Sequence, residues 1–150
     1  MGALITSETY ATTAGTTSVQ ATTARGAGLF QVFPDTVMQV RATAVVTVTG
    51  GTAGTIGETS TKQIQFTVAN TRSTGGKQSV LRQVGTTNTV ADNSDAGITP
   101  TLTVRTNQTN PGDTATFEFS CSGQAQVDMQ WYIQAEVMVQ QLRTTAAFVG

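Results

Sequence analysis

The chain has 150 residues, a length typical of a single domain. Only 11% of the residues are charged and the net charge is -1, so neither the basic field that nucleic-acid binding needs nor a strong acidic field is present. The sequence contains no His, and Cys121 is its one cysteine. This composition excludes Ser-His-Asp and Cys-His catalysis, an intrachain disulfide and a cysteine-based zinc site. We therefore expect a non-enzymatic protein without a cofactor.

The first region, residues 1–27, is rich in Thr, Ala and Gly and poor in large apolar side chains. By itself it cannot bury enough surface to offset the entropy lost on ordering. It is either a disordered tail or an extended arm that becomes ordered on a neighbour. The candidate contact residues of such an arm are its sparse apolar anchors: Leu4, Ile5, Tyr10 and Val19.

Alternating apolar and polar residues from position 28 onward predict β-strands, because successive side chains on a strand point to opposite faces. The six apolar residues that alternate between Met38 and Val48 mark one long strand, and Phe117, Phe119 and Cys121 mark one face of a later strand. Turn signals separate the strands and no helical period is present. We therefore predict an all-β domain over residues 28–150, an antiparallel β-sandwich with the jelly roll as one candidate topology.

Two polar stretches are expected to be loops. Residues 50–58 are rich in glycine, and residues 85–100 form a longer stretch of a length that is uncommon in loops without a function. Asp92 and Asp95 lie in the longer stretch. We interpret them as part of a solvated turn, because the acidic spacing of a dedicated calcium loop is missing.

The last long run, residues 127–142, has the clearest alternation in the chain. Trp131 lies on its apolar side and is expected to anchor the core. The run exceeds the usual strand length of roughly five or six residues, which predicts a bulge within it. Tyr132 and Met138 lie among glutamines on the polar side, a composition that favours an interaction surface over an ordinary exposed sheet face.

Glu118 and Glu136 lie on the polar faces of two consecutive strands that we expect to pair. Two carboxylates brought together in a cleft are the requirement for glycoside hydrolysis. A solvated sheet face is nevertheless the favoured interpretation, and the chain has no general base other than carboxylates. A small hydrolase is therefore disfavoured.

Three stretches together resemble small β-sandwich structural proteins of tailed bacteriophages, namely capsid decoration (cement) proteins, head fibres and tail fibres. The stretches are the N-terminal region, TVMQVRATAVVTVTG, and the final TLTVRTNQTNPGDTATFEFSCSGQAQVDMQWYIQAEV. The resemblance implies a virion protein made in the host cytoplasm, without catalytic residues. It also implies a trimer or other homo-oligomer bound to the major capsid protein or another virion protein, with arms that reach neighbours.

No coiled-coil or triple-stranded shaft pattern is present, which favours a cement protein over a fibre. The expected function is therefore to bridge and stabilise shell subunits, without binding nucleic acid or a membrane. The alternative is a receptor- or carbohydrate-binding module of a fibre, which would use the loops at residues 50–58 and 85–100.

Overall fold

The computed structural model describes residues 2–24, 28–72, 76 and 78–142. In this part of the chain it contains ten strands and no helix. The strands are β1 (Gly2–Ala14), β2 (Val19–Gln20), β3 (Phe30–Val32), β4 (Thr36–Gly50), β5 (Thr59–Arg72), β6 (Ser79–Gln83), β7 (Asn88–Ser94), β8 (Thr101–Asn107), β9 (Ala115–Ser122) and β10 (Asp128–Gln141).

The larger sheet has the strand order β1-β10-β4-β5-β6, and β7 also pairs with β5. β6 lies beside residues 68–72 of β5 and β7 beside residues 60–65, so the two short strands share one edge of β5. In the smaller sheet, β2 and β3 pair with β9, and β8 pairs with β9 as well. All of these pairs are antiparallel.

The core lies between the two sheets and is built from the side chains predicted to face inward. Phe117 and Phe119 of β9 are fully buried, and Phe66 of β5 is 2% exposed. The ring of Phe30 stacks on Phe117 with centroids 4.6 Å apart, and Phe66 meets Phe117 edge-on at 5.5 Å. The Phe30–Phe117 contact lies within the smaller sheet, and the Phe66–Phe117 contact joins it to the larger sheet, which confirms an all-β, antiparallel β-sandwich. The strand order does not confirm a jelly roll.

The long C-terminal strand forms as predicted and is the second strand of the larger sheet. Trp131 is buried, which confirms its role in the core. The register of β10 against β4 shifts between Asp128 and Met129, which is the expected irregularity. Cys121 is buried as well, and desolvation raises the pKa of its thiol to about 12, so it behaves as a small apolar side chain.

The N-terminal region differs from the expectation of a separate tail or arm over residues 1–27. β1 pairs with β10 through all of its residues, and β2 pairs with β9. Both strands therefore belong to the sandwich of their own chain, and the expected boundary at residue 27 does not separate them from it. The pairing supplies backbone hydrogen bonds and burial that the isolated segment lacks. Met1 and residues 25–27 lie outside the described part.

The prediction of a loop over residues 85–100 is also wrong in part. It contains β7, which pairs with β5, and Asp92 lies within this strand rather than in a turn. The carboxylate of Asp92 accepts a hydrogen bond from Lys62 Nζ at 2.8 Å. β7 has the sequence NTVADNS and is exposed at most of its positions. It lacks the alternation of apolar and polar residues from which a strand can be predicted. The other expected loop is confirmed, since residues 51–58 connect β4 to β5.

The expected pairing of β9 with β10 is wrong. β9 lies in the smaller sheet, while β10 lies between β1 and β4 in the larger one. Glu118 and Glu136 are consequently on different sheets, with Glu118 3.7 Å from Arg105 and Glu136 in register with Arg41. Consecutive strands pair often but not always, and here the chain crosses between the sheets after β9.

Candidate interaction surface

Four of the six predicted contact residues lie on one face of β1 and β10. Leu4 is paired with Met138, and Tyr10 is paired with Tyr132. Paired residues of an antiparallel sheet share a face, and the alternate residues of β10, such as Trp131, point into the core. The two pairs therefore lie on the face of the larger sheet turned away from the smaller sheet, which we call the outer face.

Exposure supports this placement. Leu4 is 65% exposed, Met138 58% and Tyr10 41%, all high values for apolar or aromatic side chains. The remaining two predicted contact residues do not join them. Ile5 points to the opposite side of β1, and Val19 packs against the hydrophobic core.

One further residue belongs to this surface and was not singled out by the sequence pattern. Val45 of β4 is paired with Tyr132 and is 39% exposed, so Tyr10, Tyr132 and Val45 form one row across three strands. The signal was present, since Val45 is an apolar residue among the polar positions of an alternating strand. Strand order was needed to interpret it, because only the sheet brings Val45 beside the tyrosines.

Between the two pairs the outer face is polar, and three of the six residues in its two rows are charged. One row contains Thr6, Glu136 and Arg41, and the next contains Glu8 with Gln134 and Thr43. Glu136 and Arg41 carry opposite charges in register, and the carboxylate of Glu8 accepts a hydrogen bond from Tyr10. A partner that covers these rows must offset the hydration lost by the three ionised groups.

The tyrosine pair is held by Glu8. The ring centroids of Tyr10 and Tyr132 are 5.5 Å apart with the planes tilted by 54°. The Tyr10 hydroxyl donates a hydrogen bond to Glu8 Oε2 at 3.1 Å. The pKa of both tyrosines is raised above the ordinary value. The largest cause is hydrogen bonding to this carboxylate, followed by desolvation and by repulsion from its negative charge. Both phenols therefore keep their protons to a higher pH than a free tyrosine, and the Tyr10 proton is donated to Glu8.

An open groove of about 720 Å³ lies beside the tyrosine pair. Thr22 exchanges two backbone hydrogen bonds with Tyr10, of 2.7 and 2.9 Å, and so places the chain after β2 along the edge of β1. The polar residues of the groove wall carry hydroxyl and amide groups, which bind neutral polar ligands: Thr12, Gln20, Thr22, Thr47 and Gln130. The groove wall therefore presents hydrogen-bonding groups beside the aromatic residues Tyr10, Tyr132 and Trp131.

Within the described residues, no group of three or more metal-ligating side chains is placed to hold an ion. The same part of the chain contains no helix that is long and apolar enough to cross a membrane.

Comparison with protein-family models finds no matching family, and neither the curated proteins nor the solved structures contain a match to this chain. Its function is therefore inferred from its own residues and geometry.

Proposed function

We propose that the chain is a virion structural protein, a capsid decoration (cement) protein whose outer face binds the major capsid protein. The observation that carries the proposal is the placement of the Leu4–Met138 and Tyr10–Tyr132 pairs on one exposed sheet face. Six residues along the strand separate the two pairs, which corresponds to about 20 Å. Two contact points this far apart on one sheet suit a protein that bridges neighbouring subunits of a shell.

The chemistry of the outer face supports the same proposal. Tyr and Met are enriched at protein interfaces, and Tyr is common among the residues that contribute most binding energy. Between the two pairs, Glu136 and Arg41 are in register and have opposite charges, which leaves Glu8 as the one charge without an opposite charge in its row. The sequence resemblance implies a trimer or another homo-oligomer, and self-association of the chain is part of the proposal without a fixed number of copies.

Immunoelectron microscopy tests the location. Antibody raised against the purified chain is applied to particles from cells that carry its gene, and we expect label distributed over the capsid. Label restricted to the tail, or particles that contain none of the chain by mass spectrometry, would contradict a cement protein.

A pair of matched variants tests the surface. Met138→Glu places a charge on the outer face and is expected to lower occupancy on particles at least about tenfold, the equivalent of 1.4 kcal/mol. Leu29→Glu is the control, because Leu29 is equally exposed, at 57%, and lies outside the larger sheet. Equal loss of occupancy in both variants would show that the outer face is not the contact.

The groove beside the tyrosines favours a second candidate, a fibre-type carbohydrate-binding module. Aromatic rings contact the apolar faces of sugars, and the amides of Gln20 and Gln130 could bond to hydroxyl groups. Sugar-dependent binding on a glycan array, abolished by Gln130→Ala, would favour this candidate over the cement protein. The groove is formed by β1, β2, β4 and β10 together with the segment after β2, so it does not involve the loops that the sequence suggested.

A further inference from the structure

Among the described residues, no strand lies beside the outer edge of β1 over its first half. β1 is the terminal strand of the larger sheet, and in the described chain no strand pairs with this edge between Gly2 and Thr9. The backbone of Tyr10 points away from β10, because both of its groups bond to Thr22. Backbone direction alternates along a strand. The N–H and C=O groups of residues 2, 4, 6 and 8 therefore also point outward.

This edge lacks the features that prevent sheets from pairing with each other. Monomeric proteins protect an edge strand with Lys, Pro or a bulge. Residues 2–8 read GALITSE, and the register of β1 against β10 runs without interruption. Leu4 and Ile5 are 65% and 49% exposed on opposite sides of the same edge. A partner strand would cover both.

We propose that this edge pairs with the same edge of a second copy of the chain, antiparallel about a two-fold axis at Ile5. The four outward-pointing residues are symmetric about this position, so Gly2 would pair with Glu8 of the second copy and Leu4 with Thr6 of the second copy. The two larger sheets then form one continuous sheet. About eight new backbone hydrogen bonds form, because each of the four outward-pointing residues exchanges two bonds with its partner in the second copy.

Registers with the two-fold axis at a neighbouring residue form fewer backbone hydrogen bonds. Moving the axis toward the N-terminus leaves the outward N–H and C=O groups of Glu8 without a partner within residues 2–8 of the second copy. A shift toward the C-terminus brings in Tyr10, whose backbone groups are already bonded to Thr22.

Charge also supports the two-fold pairing. Glu8 is the only charged residue of the segment 2–8, and in the proposed register it faces Gly2 rather than another Glu8. The net charge of -1 per chain adds little long-range repulsion. The pairing does not depend on the proposed function, because it requires no shell.

Native mass spectrometry and sedimentation of the purified chain test the proposal, and we expect a concentration-dependent dimer. Ile5→Lys places two ammonium groups face to face at the axis and should raise the dimer dissociation constant by about a hundredfold. Leu29→Lys, at a similarly exposed site outside the larger sheet, should leave it unchanged. A monomer at all concentrations would overturn the proposal. A trimer would overturn it too.

Thr6→Pro is a second variant that separates pairing from folding. It removes an outward N–H while leaving the bonds from β1 to β10 in place, so the melting temperature should stay close to that of the wild type while the dimer is lost. A wild-type dimer that persists in both Ile5→Lys and Thr6→Pro would show that a different surface is used. Loss of the dimer without loss of occupancy on particles would separate this interface from the proposed outer-face contact.

Engineered cysteines test the register. Ile5→Cys should form an intermolecular disulfide, because residues directly opposite at non-hydrogen-bonded positions have Cα atoms about 4.5 Å apart. Leu4→Cys should crosslink poorly, because the equivalent residue of the second copy lies diagonally at about 7–8 Å. The native Cys121 does not interfere, since it is buried. Equal crosslinking of both variants would rule out the axis at Ile5.

Discussion

The two halves of β1 pair with the same strand, β10, but differ in burial and in what lies at their outer edge. In the second half Thr9, Ala11 and Thr13 are buried, and the indole of Trp131 donates a hydrogen bond to Thr13 Oγ1 at 3.0 Å. In the first half the residues are largely exposed. The backbone of Tyr10 is bonded to Thr22 at the outer edge, whereas the first half has no such partner in the described chain. The second half of β1 therefore contributes buried side chains to the core, whereas the first half leaves most of its side chains exposed.

The second half also contains two buried threonines that differ in their partners. Thr13 accepts the hydrogen bond from Trp131. Thr9 Oγ1 is the one buried side-chain oxygen or nitrogen of the described residues without a hydrogen-bond partner. The same residue type on the same face of one strand should therefore respond in opposite directions to removal of its hydroxyl.

The largest effect is expected at the tryptophan. Trp131→Ala leaves a cavity beneath the second half of β1 and should lower the free energy of unfolding by about 3–5 kcal/mol. Denaturant titration measures this loss. The neighbouring Gln130 is exposed, so Gln130→Ala should change stability by less than about 0.5 kcal/mol. Similar losses in the two variants would contradict the assignment of inner and outer faces.

Thr13→Val keeps the shape of the side chain but removes the acceptor for the indole N–H. We expect a loss of about 1–3 kcal/mol, because a buried donor is left without a partner. Thermal and denaturant unfolding report the change. In a Trp131→Phe background, where the donor is absent, the same substitution should cost much less. An unchanged cost in that background would show that the hydrogen bond is not the cause.

Thr9→Val should change the free energy of unfolding in the opposite direction to Thr13→Val. It removes a buried hydroxyl without a hydrogen-bond partner and is expected to stabilise the protein by about 1 kcal/mol. The same unfolding measurements apply, with Thr13→Val as the matched comparison. A loss as large as that of Thr13→Val would mean that the Thr9 hydroxyl has a partner in the folded protein.

The smallest effect is expected on the outer face, at Glu8. Glu8→Gln should return the pKa of Tyr10 and Tyr132 toward the ordinary value, because the carboxylate that raises them is gone. The chain has only these two tyrosines, so ultraviolet absorbance of tyrosinate follows them directly. Glu136→Gln, on the same face, is the control. Equal shifts in both variants would contradict the specific role of Glu8.

The pH dependence of stability follows from the direction of these shifts. A tyrosine whose pKa is higher in the folded state than in the unfolded state stabilises the protein below its unfolded value of about 10. That contribution is lost as the pH rises through the folded pKa. The wild type should therefore lose more stability than Glu8→Gln on passing above pH 10, as measured by thermal unfolding at each pH.

Sequence pattern predicted the central strands well and the edge strands poorly. β4 and β10 have strict alternation, and the inward residues Phe117 and Phe119 of β9 were also identified correctly. β1 and β7 were not predicted, because both are largely exposed and have few large apolar residues on either face. An edge strand is stabilised by pairing with its neighbouring strand. The alternation of residues within the strand itself contains no information about that pairing.

The candidate surface was predicted in part. Leu4, Ile5, Tyr10 and Val19 were predicted as apolar anchors of an N-terminal arm, and Tyr132 and Met138 as contact residues on the polar face of the last strand. The sheet pairs Leu4 with Met138 and Tyr10 with Tyr132, whereas Ile5 lies on the other face of β1. The opposite faces of a strand become distinguishable once the register is known.

By itself, the sequence determined that this protein is a low-charge β-sandwich with Trp131 in its core, because alternation and composition are properties of local chain segments. Only the tertiary structure decided that β9 and β10 lie in different sheets, that β1 is the terminal strand of the larger sheet, and that no strand of the described residues pairs with the outer edge of its first half. Strand order depends on contacts between residues far apart in the chain, and no local pattern encodes which strand becomes the neighbour of another.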